Sequence, residues 1–212
     1  LLSFNPGITL LAEKELFEYI KERNISILGD VVVVGQYLEG LKTTVQMSGF
    51  HGFRPNTLLM GWSDKSGKEK QEYLGLIQFA NRMGKNIVIF EGEKDFFKQT
   101  PDNGVIDVWW RGKENGALML MFAYLMIQSS SRRRDRIRLL RIVGEETHKK
   151  EAQRDMEKLM EESRISADIE ILMVKTGKIR ETIIEHSRMS DFVFIGLTLF
   201  IKEEGDVLSN YE

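Results

Sequence analysis

The stretch Gly104-Val105-Ile106-Asp107-Val108-Trp109-Trp110-Arg111-Gly112-Lys113-Glu114-Asn115-Gly116 decides the fold, together with the apolar run from Ala117 to Ile127 that follows it. A short run of strand-forming residues ends in two tryptophans, turns through two glycines, and opens a segment with almost no polar face. Beyond a Ser/Arg cluster lies a second apolar run, Ile137 to Val143. The pattern predicts one strand, one deeply buried crossover helix and a neighbouring parallel strand.

The flanking sequence repeats that unit. Downstream, His148 to Ser163 predicts an amphipathic helix with Ala152, Met156, Leu159 and Met160 inward, followed by a strand at Asp168 to Val174. A helix over Ile179 to Ser190 and a strand at Phe192 to Ile195 complete this half. Upstream, Asn86 to Phe90 reads as a buried strand. It is preceded by a helix over Lys68 to Met83, in which Tyr73, Leu76, Ile77, Ala80 and Met83 share a face and Gly84 is placed to cap the end.

Thr57 to Gly61 reads as another strand, and Leu38 to Ser48 as a helix weakened by Gly40 and two threonines. The block Val31-Val32-Val33-Val34 predicts a strand covered on both faces. Ala12 to Arg23 predicts a helix with Leu16, Phe17 and Ile20 on one side. Before it, Asn5-Pro6-Gly7 reads as a turn between short apolar runs. Alternating strands and helices mean βαβ units with right-handed crossovers, hence an α/β protein with mostly parallel sheets flanked by helices. The polar segment Glu91 to Asn103 is the expected boundary between two α/β halves, 1–100 and 101–212, or a bend within one continuous domain.

The bulk numbers fit a globular chain with 42% hydrophobic and 29% charged residues. A formal net charge of -2 supplies no global basic field to hold nucleic acid. The absence of cysteine excludes a disulfide framework and fits a reducing compartment. No secretory signal pattern is visible at the first residues. The longest strongly apolar run, Ala117 to Ile127, is about half the roughly 20 residues a membrane span requires.

Two composition-rare blocks carry a family resemblance. The Asp107-Val108-Trp109-Trp110 strand, with its glycine turn, its helix of Leu, Met, Phe and Tyr and its Ile-Arg-Leu strand, resembles the cytosolic C-terminal domain of the cation-chloride cotransporters. Asn56-Thr57-Leu58-Leu59-Met60-Gly61-Trp62, after Arg54-Pro55, is similar to that family's Asn-Thr-Leu-Leu-Met-Gly-Trp segment. Asp191-Phe192-Val193-Phe194-Ile195-Gly196 echoes the second block and resembles the last glycine-ended strand of universal stress proteins. The resemblance implies a universal-stress-protein-like fold and a non-catalytic regulatory and assembly domain on the cytoplasmic face of a membrane. It also implies pairing with a second copy, and contact with a separate transmembrane unit that carries chloride with sodium or potassium. The family's pattern continues with another helix and strand after its last glycine-ended strand, whereas this sequence stops at Glu212.

Gly61 and Gly196 end strands, where glycine lets a phosphate approach backbone N–H groups. The further glycines of a nucleotide cradle are replaced by Asp64 after Gly61 and by Leu199 after Gly196, and Leu208 precedes Ser209. Plain turn glycines are therefore expected, and no cofactor. A universal-stress-like nucleotide-binding protein stays as the alternative. Gly177-Lys178 fails as a phosphate loop because Leu172 and Ile179 stand where glycine and a hydroxyl residue are required.

His51, His148 and His186 show no metal-ligand spacing, so no metal site is expected. Asp107 offers either a carboxylate at the sheet end or a side chain bonded to nearby groups. Trp109 and Trp110 alternate faces, so one fills the core while the other reaches the opposite helix layer or a partner. Arg132, Arg133, Arg134 and Arg136, with Arg138 and Arg141 nearby, form the one concentrated charge feature. It suits anionic lipid headgroups, at about 1 kcal/mol per basic residue, or an acidic or phosphorylated segment bound bidentately. The plainer reading is a solvated loop leading into a strand. No nucleophile–base pair emerges, which argues against an enzyme.

Overall fold

The structure is a computed structural model that describes residues 6–47, 54–62, 66–92, 104–112, 115–128, 135–174 and 177–196. The chain divides into two compact units, Leu1–Gly92 and Glu93–Glu212.

The first unit holds helices α1 (Pro6–Glu22), α2 (Tyr37–Met47) and α3 (Gly67–Arg82), and strands β1 (Thr57–Gly61) and β2 (Asn86–Phe90). β1 and β2 pair in parallel, Thr57 opposite Asn86 through Gly61 opposite Phe90. Val45, Leu76 and Ala80 form a small core with Leu38, Leu41, Leu58, Met60, Phe79 and Ile87 around it, so α2 and α3 lie on the same face of the pair. α3 ends where glycine is needed. Gly84 has φ of +68°, its N–H bonds to the Asn81 carbonyl, and the next N–H, of Lys85, reaches back to Ala80. This is the paired-bond termination that a left-handed residue makes possible.

Two expectations are corrected in this unit. Pro6 does not sit in a turn but opens α1, where its missing N–H costs nothing and its fixed φ suits the first helical position. Val31–Val34 forms no strand. The segment is largely exposed, with Val32, Val33 and Val34 at 52%, 56% and 40%. Val34 lies over Gly40, where a Cβ would come within 2.5–2.7 Å of its side chain, so the block runs straight into α2. Its neighbours in sequence fold onto α1 instead, for Gly29 is seated against Leu16 and Ile20.

The second unit contains β3 (Val105–Trp109), α4 (Gly116–Ile127), β4 (Arg136–Val143), α5 (Lys149–Ser163), β5 (Asp168–Met173), α6 (Ile179–His186) and β6 (Phe192–Ile195), with a 3-10 turn at Glu146–His148. The sheet order is β5-β4-β3-β6, and every pairing is parallel. β3 to β4 and β4 to β5 step one way, while β5 to β6 steps back across β3. Right-handed crossovers therefore put α4 and α5 on one face and α6 on the other. Ile106, Val108, Ile137 and Leu139 point to the first face and pack with Leu120, Ala123, Met156 and Leu159. Burying Leu120 completely contributes about 2–3 kcal/mol by itself.

α4 is less enclosed than its composition predicts. Met119, Leu120 and Ala123 are buried, but Met121, Tyr124 and Leu125 on its outer side are 42%, 39% and 55% exposed. One side packs into the unit and the other is an apolar stripe facing out.

Candidate functional site

The polar chemistry of the second unit converges on Asp107, in the middle of the central strand. The first residues of that strand are anchored by two carboxylates. Asp135 accepts from the Gly104 N–H and Asp191 from the Val105 N–H, both at 2.8 Å. Gly104 has no room for a Cβ between them.

Asp107 lies directly opposite Arg138 in the β3–β4 register. The guanidinium donates twice to the carboxylate, Nε to Oδ1 and Nη2 to Oδ2, each at 2.8 Å. Two hydroxyls just past α6 complete the shell: Ser187 and Ser190 both donate to Oδ2 at 2.6 Å. Ser187 in turn accepts from the Trp109 indole Nε1 at 2.9 Å. Arg138 also donates to the last carbonyl of α6, that of His186, at 3.3 Å, satisfying an acceptor that a helix end leaves open. Glu170 on β5 receives the His186 Nε2 contact at 2.6 Å and lies 3.6 Å from the Arg138 Nη1.

Burial pushes the Asp107 carboxyl up, but the hydrogen bonds from Arg138, Ser187 and Ser190 and the charge of Arg138 together outweigh it. The group is held below the ordinary carboxylate range, and Asp107 in turn raises Arg138 above its usual value. A fully buried carboxylate that already accepts four hydrogen bonds, three of them at Oδ2, is committed to structure and has no proton to give near neutrality. The cluster fastens α6 to the sheet.

The other place to inspect is the topological switch point, beyond the carboxyl ends of β3 and β6, where doubly wound sheets bind ligands. Side chains occupy it. A Cβ on Gly116 would lie 2.5 Å from the Trp110 Nε1 and 2.9 Å from Leu159, so the indole rests on the start of α4. A Cβ on Gly196 would meet Met119 at 3.3 Å and Asn115 at 3.6 Å. Gly112, at φ +79°, covers the Arg141 guanidinium.

The sequence-expected residues therefore separate. Trp109 is 3% exposed and turns toward α6. Trp110 packs on the opposite face, against the α4–α5 core, with the Arg141 guanidinium 5.5 Å from its ring. Arg136 is exposed at the start of β4. Arg138 and Arg141 point to opposite faces and are held in ion pairs, Arg141 with Asp155 at 2.8 Å. Arg132, Arg133 and Arg134 lie outside the described residues, as do His51 and the serines 129–131.

At the end of β1, the Gly61 carbonyl accepts from the Tyr73 hydroxyl at 3.0 Å. Trp62 stands edge-on to the Tyr73 ring. Gly177 is a left-handed turn residue in open space, and Lys178 beside it is exposed. His148 is exposed. No group of His, Asp and Glu suited to a metal occurs among the described residues.

Reading the sequence strand by strand missed the partner of Asp107. The available signal was a charged residue at the third position of each of two apolar strands. In a sheet covered on both faces, such charges have to meet each other.

The doubly wound second unit, with Trp110 and Met119 packed at the switch point among the described residues, defines an α/β domain with a parallel sheet. Comparison with known proteins shows what the chain is similar to. The model of the family described as Solute carrier family 12 matches residues 91–191. Cation-chloride cotransporter 1 of Arabidopsis thaliana is 24% identical over 173 residues, covering 79% of this chain and 18% of the relative. Cation-chloride cotransporter 2 of Oryza sativa subsp. japonica is 24% identical over 169 residues, covering 77% and 17%. The chain thus spans less than a fifth of the length of these relatives. The crystal structure of the cytoplasmic domain of a prokaryotic cation chloride cotransporter matches with a TM-score of 0.62 at 15% identity, over 81% of this chain and 66% of that one. The likeness carried by Asp107–Trp110 and Asn56–Trp62 is thereby shown. The chain is related to the cation-chloride cotransporters, and its fold is that of such a cytoplasmic domain. No helix among the described residues is long and apolar enough to cross a membrane.

Proposed function

We propose that the chain is a cytosolic regulatory and dimerisation domain of a cation-chloride cotransporter, working by contact rather than by catalysis. The observation that carries this reading is a coincidence of spans. The family match over residues 91–191 runs through β3, α4, β4, α5, β5 and α6, all the elements named for the doubly wound unit except its last strand, β6. In the whole protein, a separate transmembrane unit would move chloride with sodium or potassium. Binding between soluble domains would bias that unit's conformations, since a partner shifts an equilibrium by its differential affinity for the two states. Anionic lipid headgroups are a second partner for the arginine-rich segment that begins at Arg132.

The pairing arm of the proposal is supported by α4. Met121, Tyr124 and Leu125 form an exposed apolar stripe on a helix with no charged residue. Such a surface is self-complementary under a two-fold axis, where a patch of one charge sign would repel itself. Sedimentation equilibrium tests it. A dimer is expected at high micromolar concentration, and Met121→Glu with Leu125→Glu is expected to give a folded monomer. A wild-type chain that stays monomeric at that concentration overturns the pairing. The alternative, a universal-stress-like nucleotide-binding protein, is tested by calorimetric titration with ATP. Micromolar binding would replace the contact reading, since Trp110 and Met119 would then have to leave the switch point.

A further inference from the structure

α6 is tied to the sheet more than it is packed on it. No residue along Ile179–His186 is buried, and Ile179 and Ile184 stand exposed. On the other face, α4 buries Met119, Leu120 and Ala123, and α5 buries Ala152, Met156 and Leu159. Asp107 and Trp109, alternate residues of β3, nevertheless lie buried under the end of α6 and the turn after it. Ser187 and Ser190 donate to the carboxylate, Ser187 accepts from the indole, and the His186 ring stands edge-on to that indole at 6.2 Å.

We infer that Lys178 to Ser190 is a strap that lifts from the sheet as one unit, uncovering Asp107 and Trp109 while the strands of the second unit stay paired. Both ends suit that motion. Gly177 has φ of +94° and open space where a Cβ would stand, so the backbone turns there without steric cost. At the far end Asp191 is held to β3 twice. Its N–H donates to the Val105 carbonyl and its carboxylate accepts from the Val105 N–H, both at 2.8 Å. Movement that starts at Gly177 therefore stops at Asp191, and β6 keeps its register with Phe192 opposite Ile106.

The ties that break on lifting are polar. Besides the two serine hydroxyls they are the Arg138 bonds to the His186 carbonyl and to Ser190, and the His186–Glu170 contact. Water replaces such partners, so each contributes little net. The two bonds between Arg138 and Asp107 are not among them, because they join β3 to β4. The carboxylate keeps its counter-charge whether the strap is down or up. Apolar cover is lost over Trp109, whereas lifting α4 or α5 would open the cluster around Ile106, Leu120, Leu139 and Met156. Segments with few buried apolar contacts open at a free energy well below that of the whole fold. With the strap up, the sheet presents an indole beside an arginine–carboxylate pair, a surface the closed form hides. The inference does not depend on the cotransporter reading.

Hydrogen exchange on the whole isotope-labelled chain, followed by NMR, tests it, because the Trp109 indole N–H reports on the cover and the backbone amides on the helix. After correction for intrinsic rates, the amides of Thr182 to Ser187 and the Trp109 indole N–H are expected to share one protection factor. That factor should lie about 100-fold below those of the paired amides of β3 and β4. Ser190→Ala removes ties while leaving the Trp109 bond to Ser187 in place. It is expected to lower the shared factor about fivefold further, with β3 and β4 unchanged. Strap amides protected as strongly as β3 and β4 overturn the inference, since the helix would then leave only when the whole unit unfolds. So does fast amide exchange with the indole still protected, which is fraying of α6 over a fixed cover. A Ser190→Ala chain in which β3 and β4 speed up as much as the strap overturns it as well.

Discussion

Asp107 and Arg138, 31 residues apart in sequence, face each other across β3 and β4 and share two hydrogen bonds of 2.8 Å, with the carboxylate fully buried and the guanidinium 20% exposed. Most other links in the cluster pass through one of the two. Ser187 and Ser190 reach the carboxylate, and the His186 carbonyl and Glu170 reach the guanidinium. α6 has no buried residue of its own along Ile179–His186. Its attachment to the sheet therefore depends on this pair more than on apolar packing, which is unusual for a crossover helix.

Removing one partner should cost more than removing both. Asp107→Ala leaves a largely buried guanidinium with Glu170, 3.6 Å away, as its remaining carboxylate contact among the described residues. The expected loss is about 3 kcal/mol, near the low end for buried pairs because Arg138 keeps that contact and some water. Replacing both by apolar residues of similar size, Asp107→Leu with Arg138→Met, should recover most of that loss. Urea unfolding of the single and double variants gives the coupling directly. Equal losses for both would show that packing around α6, not the charge pair, sets the cost.

The same pair gives the second unit an acid limb. The folded-state value of Asp107 lies below its unfolded value, so its contribution is fully present above about pH 4, the ordinary carboxylate value. It is lost as pH falls through the lower folded value, where the unfolded state binds the extra proton. Stability should therefore fall below pH 4 with a slope that Asp107→Asn makes shallower, while the two proteins keep parallel profiles near neutrality. Thermal melts from pH 2 to 7 check this. A slope unchanged by the substitution would place the proton uptake on other carboxylates.

Much of the fold was legible because it is local. The helical spacing of Leu76, Ile77 and Ala80, the left-handed glycine at 84, and the strand–turn–helix grammar around Trp109 to Gly116 each depend on neighbours a few residues away. The Val31–Val34 block has the composition of a strand, yet pairing is a property of two segments, and among the described residues no strand pairs with it. Asp107 was noticed, but its partner was not, because register between strands that far apart is written in neither strand alone. α4 misled in the opposite way. Its uniform apolarity predicted burial all round, and the structure buries one side only, through Met119, Leu120 and Ala123.

Gly116 sets two rules against each other, and the magnitudes decide. Alanine is the better helix former by up to about 1 kcal/mol in a helix interior, and by less at the first position. Here, however, the added carbon would stand 2.5 Å from the Trp110 Nε1, 2.8 Å from its Cε2 and 2.9 Å from Leu159 Cδ2. The indole is held between α4, Leu159 and Arg141, and Leu159 belongs to the main core, so neither neighbour swings aside freely. Overpacking of this kind costs about 1–3 kcal/mol. Gly116→Ala should therefore lower the melting temperature of the second unit and shift the emission of Trp110, whose environment the new methyl changes. Trp62 and Trp109 complicate the spectrum, so the comparison is made in a Trp62→Phe, Trp109→Phe background. An unchanged or raised melting temperature in that background would mean that the indole has room to move and that the start of α4 is looser than its packing indicates.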